Sequence, residues 1–192
     1  MIRSPLRLLV AAIATALGVV LLAPAGPAAA AYCGITWGSL AKSGTHDPGG
    51  DTLRNVRAGQ HTCYDRLVVD LAHAPGFSAY SVRYSTVEQP GSGTAIPLRG
   101  AADLEIVLQT HANVGSVPTY APARNSEAVN VGGFSTFRQV AWAGSFEGSS
   151  TIGLGVRARL PFRVTVLAGA PGYTDGARVV IDVAHAWLPD LT

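Results

Sequence analysis

The chain has 192 residues, 14 basic and 12 acidic, a formal charge of +2, and 48% hydrophobic side chains. So even a balance excludes the clustered positive charge on which nucleic-acid affinity rests, and the apolar share is too high for a disordered chain. The length suits one domain with a core of its own.

Arg3 and Arg7 precede an apolar run from Leu8 to Leu22, and a Pro, Gly and Ala-rich stretch then ends in Ala29, Ala30 and Ala31. Basic start, apolar centre and small residues at the cut make residues 1–31 a secretory signal peptide. The uninterrupted run falls short of the roughly 20 residues of a spanning helix, so no stable membrane insertion is expected after its removal. Without Arg3 and Arg7 the basic residues only equal the 12 acidic ones, and the remainder has no bulk attraction to nucleic acid or acidic membranes. Export carries the two cysteines, Cys33 and Cys63, into an oxidising compartment, where a disulfide between them is expected. It would close a loop of about 31 residues, worth about 3 to 4 kcal/mol by loop entropy.

Residues 32–52, rich in Gly, Ser, Thr and Pro, show no periodic pattern and read as an N-terminal arm tethered by that bridge. A β-sandwich domain is expected over 53–192. Short β-type runs alternate there with turn signals at 53–58, 66–72, 79–85, 96–98, 102–110, 137–143, 145–156, 162–167 and 178–184. About nine short strands and no amphipathic helix make the fold all-β. In 102–110, Leu104, Ile106 and Leu108 face one way and Asp103, Glu105 and Gln109 the other, a strand with one wet face. Residues 111–130, holding Pro118, Pro122 and Asn125, are too long for a hairpin and too polar for core; loops of that length often carry binding.

DRLVVDLAHA at 65–74 recurs as ARVVIDVAHA at 177–186. Leu67, Val69 and Leu71 alternate with Arg66, Val68 and Asp70, and Val179, Ile181 and Val183 alternate likewise with Arg178, Val180 and Asp182. An offset of roughly 112 positions is far from a solenoid period, which leaves a pseudo-symmetric antiparallel β-sandwich. If the two copies pair antiparallel, Arg66 falls opposite Asp182 and Asp70 opposite Arg178, making reciprocal ion pairs.

Chemistry-bearing residues are sparse. His73 and His185 end the two copies, where a histidine bonding a carbonyl at a strand end is the ordinary role. His46, His61 and His111 are scattered without HExxH spacing, so no metal is assigned, and no motif implies a cofactor. Gly91, Ser92 and Gly93 lack the spacing of a nucleophile elbow. Among Glu88, Glu105, Glu127 and Glu147, only Glu147, between Phe146 and Gly148, has a distinctive setting, and a turn or an arginine partner accounts for it. No catalytic residue is assigned. The aromatics are Trp37, Tyr64, Tyr120, Trp142 and Trp187. Trp142 alternates with Val140 as a core residue does, which leaves Trp37 and Tyr120, outside the strands, as candidate ligand-binding residues.

The second half, GSFEGSSTIGLGVRARLPFRVTVL from Gly144 followed by ARVVIDVAH from Ala177, resembles the AMIN-like domain of exported bacterial proteins, and CGITWGSLAKS from Cys33 fits the same resemblance. AMIN domains are symmetric sandwiches of two small sheets, found in cell-wall amidases and in secretion and pilus assemblies as envelope-targeting modules. The resemblance therefore implies a secreted, non-enzymatic module, possible wall association included, that binds a cell-wall polymer such as peptidoglycan or an envelope protein. No amidase or secretin domain follows it in this sequence, so it is expected to act as a single domain. Gly144, Gly148, Gly153 and Gly155 then serve turns or close backbone approaches in a bulged strand. Two rivals remain: a module recruiting another exported protein by β-augmentation, and a small wall hydrolase built on Glu147.

Overall fold

Strands that alternate apolar and polar residues need a second apolar face to cover the first. The computed structural model describes residues 31–45, 52–72, 79–169 and 175–187. The expected signal peptide lies outside these residues but for Ala31, as do His46 and His73. A small hairpin, β1 (Ala31–Tyr32) and β2 (Ile35–Thr36), leads to β3 (Lys42–Thr45), β4 (Thr52–Gln60), β5 (Tyr64–Ala72), β6 (Ala79–Tyr84) and β7 (Ala102–Leu108). A second small hairpin, β8 (Asn113–Val114) and β9 (Val117–Pro118), and a 3-10 turn at Asn125–Glu127 come before β10 (Phe137–Phe146), β11 (Ser149–Val156), β12 (Phe162–Leu167) and β13 (Asp175–Ala184).

Five strands in the order β10-β11-β7-β6-β3 form one antiparallel sheet, and four in the order β12-β13-β5-β4 form the other. The expected all-β sandwich is thus the observed fold. Leu67, Val69, Val179, Ile181 and Val183 of the four-stranded sheet share a core with Leu104, Ile106, Leu108, Val140, Ile152 and Leu154 of the five-stranded one. Each such side chain contributes roughly 1.5 to 3 kcal/mol on leaving water. The two copies of the repeat are β5 and β13, paired at the centre of the smaller sheet, with Val68 opposite Val180 and Arg66 opposite Asp182. Their hairpin partners, β4 and β12, flank them, so a local two-fold relation runs through this sheet.

Both open sides of the sandwich are closed by connecting segments. On one side Phe162 of β12 donates its N–H to the Gly38 carbonyl at 2.9 Å, and the chain then crosses to pair β3 with β6. The Cys33–Cys63 disulfide ties the start of this segment to the β4–β5 turn. On the other side Leu53 of β4 donates to the His111 carbonyl at 2.7 Å, and the chain reaches β10 where Ala128 donates to Val140 at 2.8 Å. The edges of β12, β4 and β10 are thereby each bridged at one place, and the short β3 becomes the outer strand of the larger sheet.

Three expectations change. Residues 42–45 form a strand where a featureless arm was expected; Lys42, Ser43, Gly44 and Thr45 have no apolar alternation, and backbone pairing with β6 alone defines them. Residues 96–98 are no strand: they belong to a strap, residues 85–100, that lies across β11, with Val87 fully buried beneath it. The run read as 145–156 is the end of β10 and all of β11, joined by a two-residue turn in which Glu147 (φ 47°) and Gly148 (φ 80°) both adopt left-handed conformations.

The strap explains the glycines of β11. A Cβ on Gly153 would press on Leu98 and Val87 at 3.0 Å, and one on Gly155 would fall on the Arg99 carbonyl oxygen. Because that oxygen is backbone, Gly155→Ala forces the strap off β11; a loss of about 1 to 3 kcal/mol is expected in chemical denaturation, with Gly59→Ala, where a Cβ meets nothing, as the mild control.

Candidate functional site

The outer face of the four-stranded sheet carries the ionic residues of the repeat. Asp182, with 1% of its side chain exposed, accepts Arg66 Nε at 2.6 Å and Nη2 at 3.0 Å, and Arg163 Nε from β12 at 2.7 Å. The hydrogen bond to Asp182 raises the Arg66 pKa further above its ordinary value. Arg178 does lie opposite Asp70 in register, but the expected Asp70–Arg178 pair is replaced. Asp70, 24% exposed, is gripped instead by Arg57 of β4, Nε to Oδ2 at 2.8 Å and Nη2 to Oδ1 at 3.1 Å. One bidentate guanidinium occupies both oxygens there, and water serves the exposed Arg178.

The two ion sites differ because the N-terminal arm covers only one. Trp37 is 7% exposed, its Nε1 donates to the Tyr32 carbonyl at 2.9 Å, and its ring lies 5.8 Å from that of Tyr64. The Arg163 guanidinium sits 5.7 Å from the Trp37 ring and 5.6 Å from Tyr64, and Arg66 lies 5.2 Å from Tyr64. Trp37 is therefore a seal over the Asp182 cluster, which corrects its reading as an open ligand platform: a ring in contact with its own chain has no free face for a sugar.

A second buried carboxylate was missed. Asp65 accepts the backbone N–H groups of Thr136 (2.6 Å) and Phe137 (3.0 Å) and lies 3.1 Å from His185 Nε2. His185 therefore meets a carboxylate and not the carbonyl expected at a strand end. Thr136, the hydroxyl of this cluster, donates to the Ala184 carbonyl at 3.3 Å, so the group joins β5, β10 and the end of β13 without presenting a nucleophile. The available signal was parity: Asp65 shares the core-facing phase of Leu67 and Val69. The glutamates are engaged in similar ways, Glu105 with Arg83 at 2.8 Å and Glu127 with Arg99. Glu147 is exposed at its turn. Among the described residues no group of histidine, cysteine and carboxylate side chains is arranged for a metal ion.

Tyr120 leads to a recess that a ligand could enter. A cleft of about 480 Å³ lies between β4 and the 119–128 segment, walled by Arg54, Asn55 and Val56 on one side and by Tyr120, Pro122, Arg124 and Glu127 on the other. A register shift between Leu53 and Asn55 marks a β-bulge at Arg54, so that Arg54 and Asn55 are both exposed while Leu53 and Val56 remain buried. Bulges re-aim side chains in this way, and sequence alternation alone does not reveal them. The Tyr120 ring packs edge-on to Trp142 at 5.1 Å, and its hydroxyl is buried without a partner among the described residues. Glu127 is held below the ordinary carboxylate range by its hydrogen bond to Arg99.

Fold and cluster together define a small antiparallel sandwich whose ionic face is sealed by its own N-terminal arm. A model of the AMIN-like domain family matches residues 51–185, and the chain belongs to that family. Its members occur in exported proteins as modules associated with the cell envelope. No curated protein matches the chain in sequence. No helix among the described residues is long and apolar enough to cross a membrane.

Two predictions follow from the buried polar groups. Asp182→Asn leaves two arginines facing a neutral amide under the arm and is expected to cost about 2 to 4 kcal/mol, whereas Asp70→Asn, at the open site, should cost about 0 to 1 kcal/mol in the same urea titration. Burial raises the Tyr84 and Tyr120 phenols to about 12, Tyr84 while donating to the Leu160 carbonyl at 2.6 Å. Both deprotonate more readily unfolded than folded, so their stabilisation is complete below the ordinary value of 10.0 and is lost as pH rises toward 12. The melting temperature should fall steeply across that window; Tyr120→Phe should flatten the fall and leave neutral-pH stability equal or higher, because its hydroxyl has no bond to lose.

Proposed function

We propose that this protein is a non-enzymatic binding module that engages a polymer of the cell envelope, peptidoglycan being the leading case, through the cleft between β4 and the 119–128 segment. The observation that carries this reading is the bulge at Arg54, which turns two successive polar side chains into a recess, while the two aspartates of the repeat on the same sheet are paired within the chain. Family membership supplies the envelope context. Engagement of Glu105, Glu127 and Asp65 by their own chain, and the position of the exposed Glu147 at a turn outside the cleft lining, favour binding over hydrolysis. Recruitment by an added strand, the other partner class considered from the sequence, needs an open edge; β4, β10 and β12 are each bridged at one place by connecting segments, and β3 is the outer strand left on the larger sheet.

Oxidised protein mixed with isolated sacculi and sedimented is expected to appear in the pellet without release of muropeptides. Ala121→Trp, which fills the exposed wall of the cleft, should move it to the supernatant with the melting temperature unchanged. Muropeptide release would establish a hydrolase, and undiminished pelleting of the cleft-filled variant would place binding elsewhere on the surface.

A further inference from the structure

The arginines of this chain are, with few exceptions, committed to partners. Arg57, Arg66 and Arg163 serve Asp70 and Asp182, Arg83 serves Glu105, and Arg99 serves Glu127. Arg138 donates to the carbonyls of Phe134 and Phe137, Arg157 donates to that of His185, and Arg159 lies over the Tyr84 ring at 4.8 Å. Among the described residues the side chains of Arg54, Arg124 and Arg178 make no hydrogen bond or ion pair, and the first two line the same cleft. They belong to separate elements, Arg54 to the bulge of β4 and Arg124 to the segment that closes the sandwich. Glu127, the acidic residue of the lining, attracts Arg124 but is already hydrogen-bonded to Arg99, so it does not cancel the pair. The Asn55 amide adds a neutral donor at the same rim, at a loose 3.4 Å from Asp70.

Two guanidiniums without internal acceptors, held by separate elements beside an amide, form a site for an oxyanion, since fork-shaped donors match carboxylate and phosphate oxygens in pairs. Building on the wall-binding reading above, we infer that the cleft selects the anionic groups of the envelope polymer, clamping a carboxylate or phosphate oxygen between Arg54 and Arg124. Neutral glycan then contributes contact area and the anion fixes the position. The attraction is partly solvent-exposed, so it weakens with salt.

The test is retention of the oxidised protein on sacculi. Arg54→Ala and Arg124→Ala are each expected to weaken retention about tenfold, as loss of a charge-assisted hydrogen bond does, and the double variant to reach background. Arg178→Ala, the third uncommitted arginine but outside the cleft, should bind as the parent does, and equal melting temperatures verify that all variants fold. Sacculi stripped of phosphodiester polymers by hydrofluoric acid, and sacculi whose carboxylates have been amidated, separate the two sources: loss on one treatment identifies phosphate or carboxylate as the anchor. Equal retention of the parent and the double variant, or binding that survives both treatments, overturns the oxyanion clamp while leaving the wall-binding reading intact. No retention of the parent overturns that reading and this one with it.

Discussion

Asp182 sits at the centre of a sheet with its carboxylate withdrawn from water, and a charge in that position persists only where the protein replaces its hydration. Arg66 from β5 and Arg163 from β12, the two strands that flank β13, do so from both sides, which holds β12, β13 and β5 in one register. The cluster in turn needs a cover, and the cover is the N-terminal arm: Trp37 and Tyr64 lie against the two guanidiniums while the disulfide fixes the arm to the turn beside Tyr64. Charge, aromatic lid and covalent tether are therefore one device, and each part loses its purpose without the others.

The same sheet shows what happens without a lid. At the symmetry-related position Asp70 opposes Arg178 just as Asp182 opposes Arg66, yet it binds only Arg57 and keeps contact with solvent. An exposed carboxylate gains little from a second guanidinium because water competes at small cost. The internal repeat thus has two chemically equivalent halves with unequal energetics, and the asymmetry comes from outside the repeat.

The segments that cross the open sides of the sandwich also shape its cleft. The arm segment bridges to β12 and adds β3 beside β6, and residues 111–130 bridge to β4 and β10. The second crossing leaves a recess behind the β4 bulge, and Arg54 and Arg124 both line it.

A period of two in the repeat strands and in 102–110 determined the all-β class, the antiparallel sandwich and the inward faces of 67, 69, 71 and 179, 181, 183, because alternation is a property of the chain and needs no partner to be seen. The repeat likewise determined that Arg66 would face Asp182, since equal phase in two antiparallel copies allows that register. Cysteine count and the apparent export signal were enough to pair Cys33 with Cys63. Tertiary structure alone decided which aspartate would be buried, that Trp37 would serve as a lid, that residues 96–98 would lie as a strap over Gly155, and that Arg54 would turn into a cleft. Each of these depends on which segment crosses over which face: a bulge, a cover or an uncommitted charge is defined by neighbours far away in the chain, and local periodicity carries no record of them.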